Sequence, residues 1–596
     1  MIRNIIKLRF AIEDKMFLSI WHKLSRRRQK QFWMVLILMI VASILEVVSV
    51  GAVFPFLGVL TAPEQAFQHE LMQPFIKILE ITKPNQLLLP VTILFIIAVL
   101  IAGIVRLTLL YVITKLSFAT GADLSIDVYR RTLYQGYKIH ITRNSSEVIN
   151  GVITKTGIVI NGVINPALVF ISSIILLIGI MGVLFTISIE MALSAFVSFG
   201  LLYWLIVRYT KTQLKNNSQI IASQSNKMVK SLQEGLGGIR DIIIDGTQKF
   251  YCQLYRDADL PLRQASGNNQ FISGSPRYAM EAIGMTLIAG LAYIMTQQET
   301  SVVTVIPILG TLALGAQRLL PVLQQAYSSY SSIKGSKSSF EDVLDLLNQP
   351  LPKYIDQPSP ESIPFKKEIR LKNLSFRYTK KSPWVLKNIS LSLEKGTCTG
   401  FIGETGGGKS TLIDIVMGLL EPTNGNLAID RQLLNIQNIR TWQMHIAHVP
   451  QSIYLSDNTI EENIAFGIPK EQIDHERVDR VAQQAQIAET IKEWKDGYQT
   501  IVGECGVLLS GGQRQRIGIA RALYKQADVL IFDEATSALD NKTEIAIMES
   551  IKNLEDGLTI LIIAHRLTTL KNCNQIVKLG KNNTICVGSY HDMVDE

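Results

Sequence analysis

The chain has 596 residues, 47% of them hydrophobic, a formal net charge of +9 and a mean hydropathy of +0.23. That apolar content excludes a disordered chain, and five cysteines spread over this length exclude a disulfide-stapled secreted domain. The charge divides unevenly, +14 over residues 1–340 and −5 over 341–596, which predicts two parts in different surroundings. Cys252, Cys398, Cys505, Cys573 and Cys586 form neither a C-x-x-C pair nor a zinc spacing and are expected to be reduced packing residues.

The arm 1–31 carries nine Lys/Arg, and no small-residue cleavage site follows the first apolar run, so that run is expected to be retained as a span. Six stretches, roughly 32–60, 88–112, 163–185, 189–208, 274–296 and 302–325, each supply the ~20 apolar residues a bilayer crossing requires. Basic residues stay on the cytoplasmic side. Segments 113–160 and 208–270 hold six and nine Lys/Arg, against two in 61–87 and none in the hairpins at 186–188 and 297–301. Both termini and the long second and fourth connections are therefore predicted to be cytoplasmic, and the positive charge is accounted for without nucleic acid.

The inward segments Asp123–Asn150 and Asn216–Gln264 are polar at helical spacing and predict helices that continue out of the membrane. Gly235, Gly237 and Gly238, ahead of Ile239–Ile244, mark a turn into a short transverse helix suited to contacting another domain. On the outer side, residues 64–80 read as one amphipathic helix able to lie on the outer leaflet, kinked or split at Pro74. Charges inside spans are costly and mark candidates for function or for internal pairing: Glu46, Arg106, Glu281 and Arg318, with Arg277 near the inner end of the fifth span.

Five of the 19 prolines fall at 350, 352, 358, 360 and 364 and place a linker at 349–366. The expected organisation is thus an arm (1–31), an all-α six-helix transmembrane domain (32–348), the linker and an α/β nucleotide-binding domain (367–596). In the last, strand-like runs at Ile369–Tyr378, Ile389–Leu393 and Thr397–Ile402 precede a helix over 409–420. Val529–Phe532 and Thr559–Ile563 read as buried parallel strands.

Gly403, Glu404, Thr405, Gly406, Gly407, Gly408, Lys409 and Ser410 fit G-x-x-x-x-G-K-[ST] between a predicted strand and helix, with Thr411 following. Glycines let backbone N–H groups curl round phosphate oxygens, Lys409 reaches the outer phosphates and Ser410 can ligate Mg²⁺. The run Val529–Phe532 then delivers Asp533, a candidate Mg²⁺ ligand, and Glu534, a candidate base for the attacking water. Leu509, Ser510, Gly511, Gly512 and Gln513 precede an arginine-rich helix over 514–524.

Ser510–Gln513 resembles the signature motif of ATP-binding-cassette proteins, and the resemblance extends over about 368–590. Tyr378 is placed like the aromatic that stacks on adenine, Gln451 like the Q-loop residue that also reaches the metal, Ser537–Asp540 like the D-loop, and His565 like the switch histidine. Gly503 and Glu504 resemble the exporter loop that faces the inward membrane segments. Six spans with long second and fourth inward connections look like the type I exporter arrangement. One copy of each motif resembles a half-transporter, which implies a homodimer with two composite sites for ATP and Mg²⁺. In such sites Glu534, His565 and Gln451 take catalytic roles.

Segments Val105–Leu107, Ser275–Tyr278 with Glu281, and Gln317–Pro321 look similar to those of bacterial lipid-linked oligosaccharide flippases. The resemblance implies an amphiphilic substrate, a polyprenyl-pyrophosphate glycan, with Arg106, Arg277 and Arg318 offering permanent bidentate charge to the pyrophosphate. The alternative is an exporter of bulk lipids or hydrophobic drugs. A 31-residue arm is too short for the cysteine-protease domain of leader-cleaving exporters, and without a targeting presequence the expected location is a bacterial inner membrane. A soluble cassette ATPase is contradicted by the spans, and Glu534 with His565 favours turnover over a regulated channel.

Overall fold

The computed structural model describes residues 19–596 apart from 62, 69–71, 79–80, 188, 298–301, 353, 356–363, 536–538, 553–556, 565, 581–584 and 595–596, with the side chains of some further helical residues, Arg318 among them, also outside the description. It divides into a helical unit, 1–135 and 143–351, and a second unit formed by Gly136–Thr142 and 352–596.

The helical unit is built from helices far longer than a membrane is thick. Leu88–Leu133 has 46 residues and Ile189–Gly237 has 49, so at 1.5 Å per residue each exceeds ~60 Å. Their apolar halves are the predicted second and fourth spans, and their polar halves are the predicted inward extensions. Among the described residues, helices at Arg26–Ser49, Pro84–Leu133 and Ser145–Gly182 are long and apolar enough to cross a membrane. Pro276–Gln297 and Val302–Gly335 occupy the fifth and sixth predicted spans. The helix at Asn165–Ile187 packs on Arg26–Gly51 and Val302–Gly335. Close approach depends on small residues: a Cβ on Gly179 would lie 2.6 Å from Val47 Cγ2.

Three local features refine the sequence reading. Residues 64–80 hold two short helices, Pro63–Gln68 and Gln73–Ile78, so the segment is split as expected, although ahead of Pro74, which sits in the tolerated first turn of the second. Phe67 and Ile76 pack with Val59 and Leu87 into a small core. The stretch leading into the third span widens into π-helical turns at Gly151–Lys155 and Ile160–Ile164. The second ends two residues before Pro166, which has no N–H to return to Gly162, and the wider turn accommodates the missing bond. Within the inward segment read as helical, Tyr137–Thr142 forms a separate short helix grouped with the second unit, where Lys138 Nζ lies 5.9 Å from the Phe376 ring.

The second unit contains two sheets. Strands β1 (Glu368–Phe376), β2 (Leu386–Glu394), β3 (Cys398–Gly403), β4 (Asn424–Ile429), β5 (Gln432–Leu433), β6 (Ile446–Val449), β7 (Val529–Asp533), β8 (Thr559–Ile563), β9 (Gln575–Leu579) and β10 (Ile585–Gly588) follow in chain order. An antiparallel sheet runs β2-β1-β4-β5, and a six-stranded sheet runs β10-β9-β3-β8-β7-β6. In the latter β9, β3, β8, β7 and β6 are parallel and β10 is antiparallel. Both faces of the parallel strands are covered: Phe401, Ile531 and Leu561 enter one core, Phe532, Leu530 and Ile562 the other. That is why these strands read as unbroken apolar runs.

The cysteines only partly follow expectation. Cys573 is buried, with its Sγ 2.7 Å from that of Cys398, but Cys252, Cys505 and Cys586 are exposed and do not serve as packing residues.

Candidate functional sites

The phosphate loop lies where β3 ends at the carboxyl edge of the parallel sheet, the edge at which α/β sheets collect ligands. Gly403 leaves the strand at φ +145°, and a Cβ there would fall 2.3 Å from the carbonyl oxygen of Leu579 on β9. Gly408 is left-handed at φ +88° and caps the helix Lys409–Val416, presenting that helix's free N–H groups to the loop. Lys409 is 6% exposed, and its Nζ donates to the carbonyls of Gly403 and Glu404 at 2.8 and 3.0 Å. The ammonium is thus held inside the cradle that its own loop forms.

One strand further along, β7 ends in Asp533, and Glu534 follows in the left-handed region at φ +51°. Burial, followed by the charge of Glu534, pushes the Asp533 carboxyl up, while a hydrogen bond from Ser410 and the charge of Lys409 oppose the shift. Asp414, on the helix behind the loop, is pushed up to about 6 by burial and by Asp533. The Asp533 carboxylate, the Ser410 hydroxyl bonded to it and the amide oxygen of Gln451 are all oxygen donors, the chemistry Mg²⁺ prefers.

Gln451 follows β6 and donates through Nε2 to Glu534 Oε2 at 2.5 Å. Tyr378, after β1, meets the phosphate-loop helix through its hydroxyl, 3.1 Å from Thr411 Oγ1. Sequence-distant groups are thereby gathered: Tyr378, Gly403–Thr411, Gln451, Asp533 and Glu534. Thr405, Gly406 and Gly407 complete the loop, with the Gly407 N–H donating to the Glu404 carbonyl at 3.1 Å. Ser510 and Gln513 direct their hydrogen bonds to one another: Gln513 Oε1 accepts from the Ser510 N–H at 2.8 Å, and Ser510 Oγ accepts from the Gln513 N–H at 3.3 Å. This capping box opens the helix Gly511–Tyr524, with Gly511 and Gly512 as its first residues. His565 and Ser537 lie outside the described residues.

In the helical unit Arg106 and Arg277 line one cavity of about 700 Å³. Asn165, Gln324, Gln325, Ser328 and Ser329 supply its polar wall, stiffened by a bond from Gln324 Nε2 to the Ser273 carbonyl at 2.8 Å. Both arginines also have carboxylate partners. Arg277 Nε donates to Glu281 at 2.8 Å, and Arg106 Nη1 reaches Glu46 at 3.5 Å, so the internal pairing considered for these charges is present at two of the three positions. The side chain of Arg318 lies outside the description, and its neighbour Gln317 lines a second cavity of about 520 Å³. The sequence reading missed this polar wall, because serines and glutamines four residues apart on a helix look like any solvated face.

Comparison with known proteins agrees with this geometry. Residues 386–537 match the family described as ABC transporter, and residues 32–313 match ABC transporter transmembrane region. An ATP-dependent lipid A-core flippase of Cupriavidus metallidurans is 24% identical over 506 residues, covering 83% of each chain. A leukotoxin translocation ATP-binding protein of Mannheimia glucosida is 38% identical over 283 residues, 47% of this chain and 39% of that protein. In that comparison the chain spans about two fifths of its relative's length. The solved structure of a bacterial Atm1-family ABC exporter with ATP bound superposes with a TM-score of 0.78 at 22% identity, covering 96% of this chain and 97% of the other. With both modules present in this order, the chain belongs to the ABC transporter family, as a multi-pass membrane protein with the fold of a type I exporter.

Proposed function

We propose that the protein is a flippase for a polyprenyl-pyrophosphate-linked oligosaccharide or a related glycolipid, working as a homodimer in a bacterial inner membrane with its termini in the cytoplasm. The observation that carries this reading is the convergence of Arg106 and Arg277 on one cavity walled by amides and hydroxyls. Guanidinium groups suit a pyrophosphate and the polar wall suits sugar hydroxyls. Arg318 is assigned to the same task from its place in the sequence.

In the ATP site the roles follow from position. Tyr378 stacks on adenine, the loop Gly403–Thr411 holds the phosphates, and Lys409 exchanges its carbonyl partners for phosphate oxygens. Ser410, Asp533 and Gln451 would hold Mg²⁺, which when bound offsets phosphate charge. Glu534, oriented by Gln451, takes the proton of the attacking water, and His565 is assigned to the transferring phosphate. Ser510, Gly511, Gly512 and Gln513, at the N-terminus of their helix, complete the partner chain's site. ATP binding closes the dimer and hydrolysis reopens it, with the cytoplasmic helices carrying the change to the cavity.

A second reading, export of bulk lipids or hydrophobic drugs, is favoured by an apolar cavity of about 320 Å³ lined by Phe170, Met181, Phe199, Leu323 and Tyr327. ATP-dependent translocation of a polyprenyl-pyrophosphate oligosaccharide in proteoliposomes separates the two. Movement by the wild type but not by Glu534→Gln supports the flippase. Robust ATP hydrolysis with no movement rejects it in favour of the second reading.

A further inference from the structure

The cavity of about 520 Å³ and the cavity of about 700 Å³ share two lining residues, Arg106 and Pro321, so they are neighbouring chambers with a guanidinium at their common wall. The smaller is lined by Val53, Phe95, Ile96, Val99, Leu100 and Ile180, an apolar set, with Glu46 as its one acidic group among the described residues. Such a pair of chambers fits an amphiphile whose anionic group sits at Arg106, its apolar chain on one side and its polar part on the other.

Glu46 stands at the position that an anion would occupy. Its side chain is only 6% exposed, whereas that of Arg106 is 51% exposed, and they meet through one terminal nitrogen at 3.5 Å, the long limit of a hydrogen bond. The contact is therefore weak and the arginine accessible, while the carboxylate stays buried. Any anion that takes Arg106 leaves this buried carboxylate with less compensation and adds a like charge beside it. A singly charged carboxylate replaces Glu46 only like for like, so it meets the penalty without a gain. A pyrophosphate brings more charge, can be held bidentately, and has Arg277 within the adjoining chamber, where the pair with Glu281 is exposed on both sides and easily exchanged.

We propose that Glu46 is a counter-ion that an incoming anion must displace from Arg106, setting a threshold that isoprenoid amphiphiles bearing condensed phosphate pass, because they bring more charge and meet Arg277 as well, and that those bearing a carboxylate do not. This rests on the glycolipid reading above for the identity of the anion, but the exchange at Arg106 is testable apart from it.

The test uses the full chain in lipid nanodiscs and two probes with the same apolar chain, farnesyl pyrophosphate and farnesoic acid, titrated against wild type, Glu46→Gln, Arg106→Ala and the double variant. Wild type is expected to prefer the pyrophosphate. Glu46→Gln should tighten both probes roughly ten-fold or more, the scale of one desolvated charge interaction, and the pyrophosphate no less than the carboxylate. In the Arg106→Ala background, Glu46→Gln should tighten them markedly less. Unchanged affinities in Glu46→Gln, or equal tightening without Arg106, overturn the proposal. If Glu46→Gln does not elute as a single species, Glu46→Asp, which withdraws the carboxylate by one methylene, must tighten both probes or the proposal fails. Wild type that binds farnesoic acid and refuses farnesyl pyrophosphate rejects the pyrophosphate reading alone, provided Glu46→Gln still tightens farnesoic acid through Arg106. Binding of neither probe to any variant rejects both.

Discussion

His448, on β6 three residues before Gln451, shows how burial sets a residue's titration. Burial holds its imidazole down at about 4, and its Nε2 has no hydrogen-bond partner among the described residues. Below the ordinary histidine value of 6.5 the unfolded chain takes up a proton that the fold refuses, so this contribution is complete above pH 6.5 and is lost as pH falls towards 4. Unfolding of wild type at pH 7 and 4.5 should therefore include an acid loss of about 2–3 kcal/mol that is absent in His448→Gln; equal losses in the two proteins would contradict it. Glu534 carries a second prediction at this scale. Held by Gln451 next to Asp533, it should be needed for hydrolysis but not for binding, so Glu534→Gln should retain ATP and lower turnover at least about a hundred-fold, the range of a lost general base. Retained turnover, measured as phosphate release, would remove Glu534 from that role. These residues were visible in the sequence because strand, loop and acid follow one another within a few positions. Internal pairing of Arg106 and Glu46 was raised by the sequence, but which charges meet was not legible, because the pair joins residues 60 apart on different helices and depends on how those helices turn.

Among elements, the legible ones were those whose signal is local. The helix Gly511–Tyr524 begins where Ser510 and Gln513 form a capping box, a pattern written within four residues. The helix Tyr137–Thr142 fell inside a segment read as helical, but its separation from the helix ending at Leu133 was not legible, since Tyr-Lys-Ile-His-Ile-Thr alternates as a strand would and gives no helical boundary. The π-helical turns at 151–155 and 160–164 leave no trace in hydrophobic spacing at all. The junction between β3 and its loop supplies a test of an element's geometry. Gly403→Ala forces a Cβ against the Leu579 carbonyl, a backbone atom fixed by the β3–β9 pairing, whereas a Cβ on Gly406 meets nothing within 4 Å. Strain of about 1–3 kcal/mol at such a site predicts that Gly403→Ala binds a fluorescent ATP analogue roughly ten-fold or more weakly and that Gly406→Ala, which carries only the left-handed cost, loses less. The reverse order would place the constraint elsewhere in the loop.

For the whole molecule, the proposed dimer makes a prediction that one chain cannot satisfy by itself. If each ATP site combines the phosphate loop of one copy with Ser510–Gln513 of the other, Lys409→Ala and Ser510→Arg should each abolish hydrolysis alone. Co-expressed, they should recover it in the mixed dimers, where one site is intact. Failure to recover activity in purified mixed dimers would argue that each chain builds its site from its own residues. Triple replacement of Arg106, Arg277 and Arg318 by alanine should leave ATP binding in place and abolish glycolipid movement; unchanged movement would transfer the substrate to other walls. At this scale the order of the two modules was readable from composition alone, as an apolar, basic part followed by an acidic α/β part.

The membership of Gly136–Thr142 in the second unit has a further consequence, for synthesis and dissection. The ATP-binding unit is discontinuous: its first seven residues leave the ribosome more than two hundred residues before the rest, with most of the helical unit in between. Those seven residues lie inside the stretch matched to the transmembrane region, so the helical part of the chain carries them. For the same reason a fragment cut at the linker is a unit with a piece missing, and its behaviour in isolation describes a truncated body.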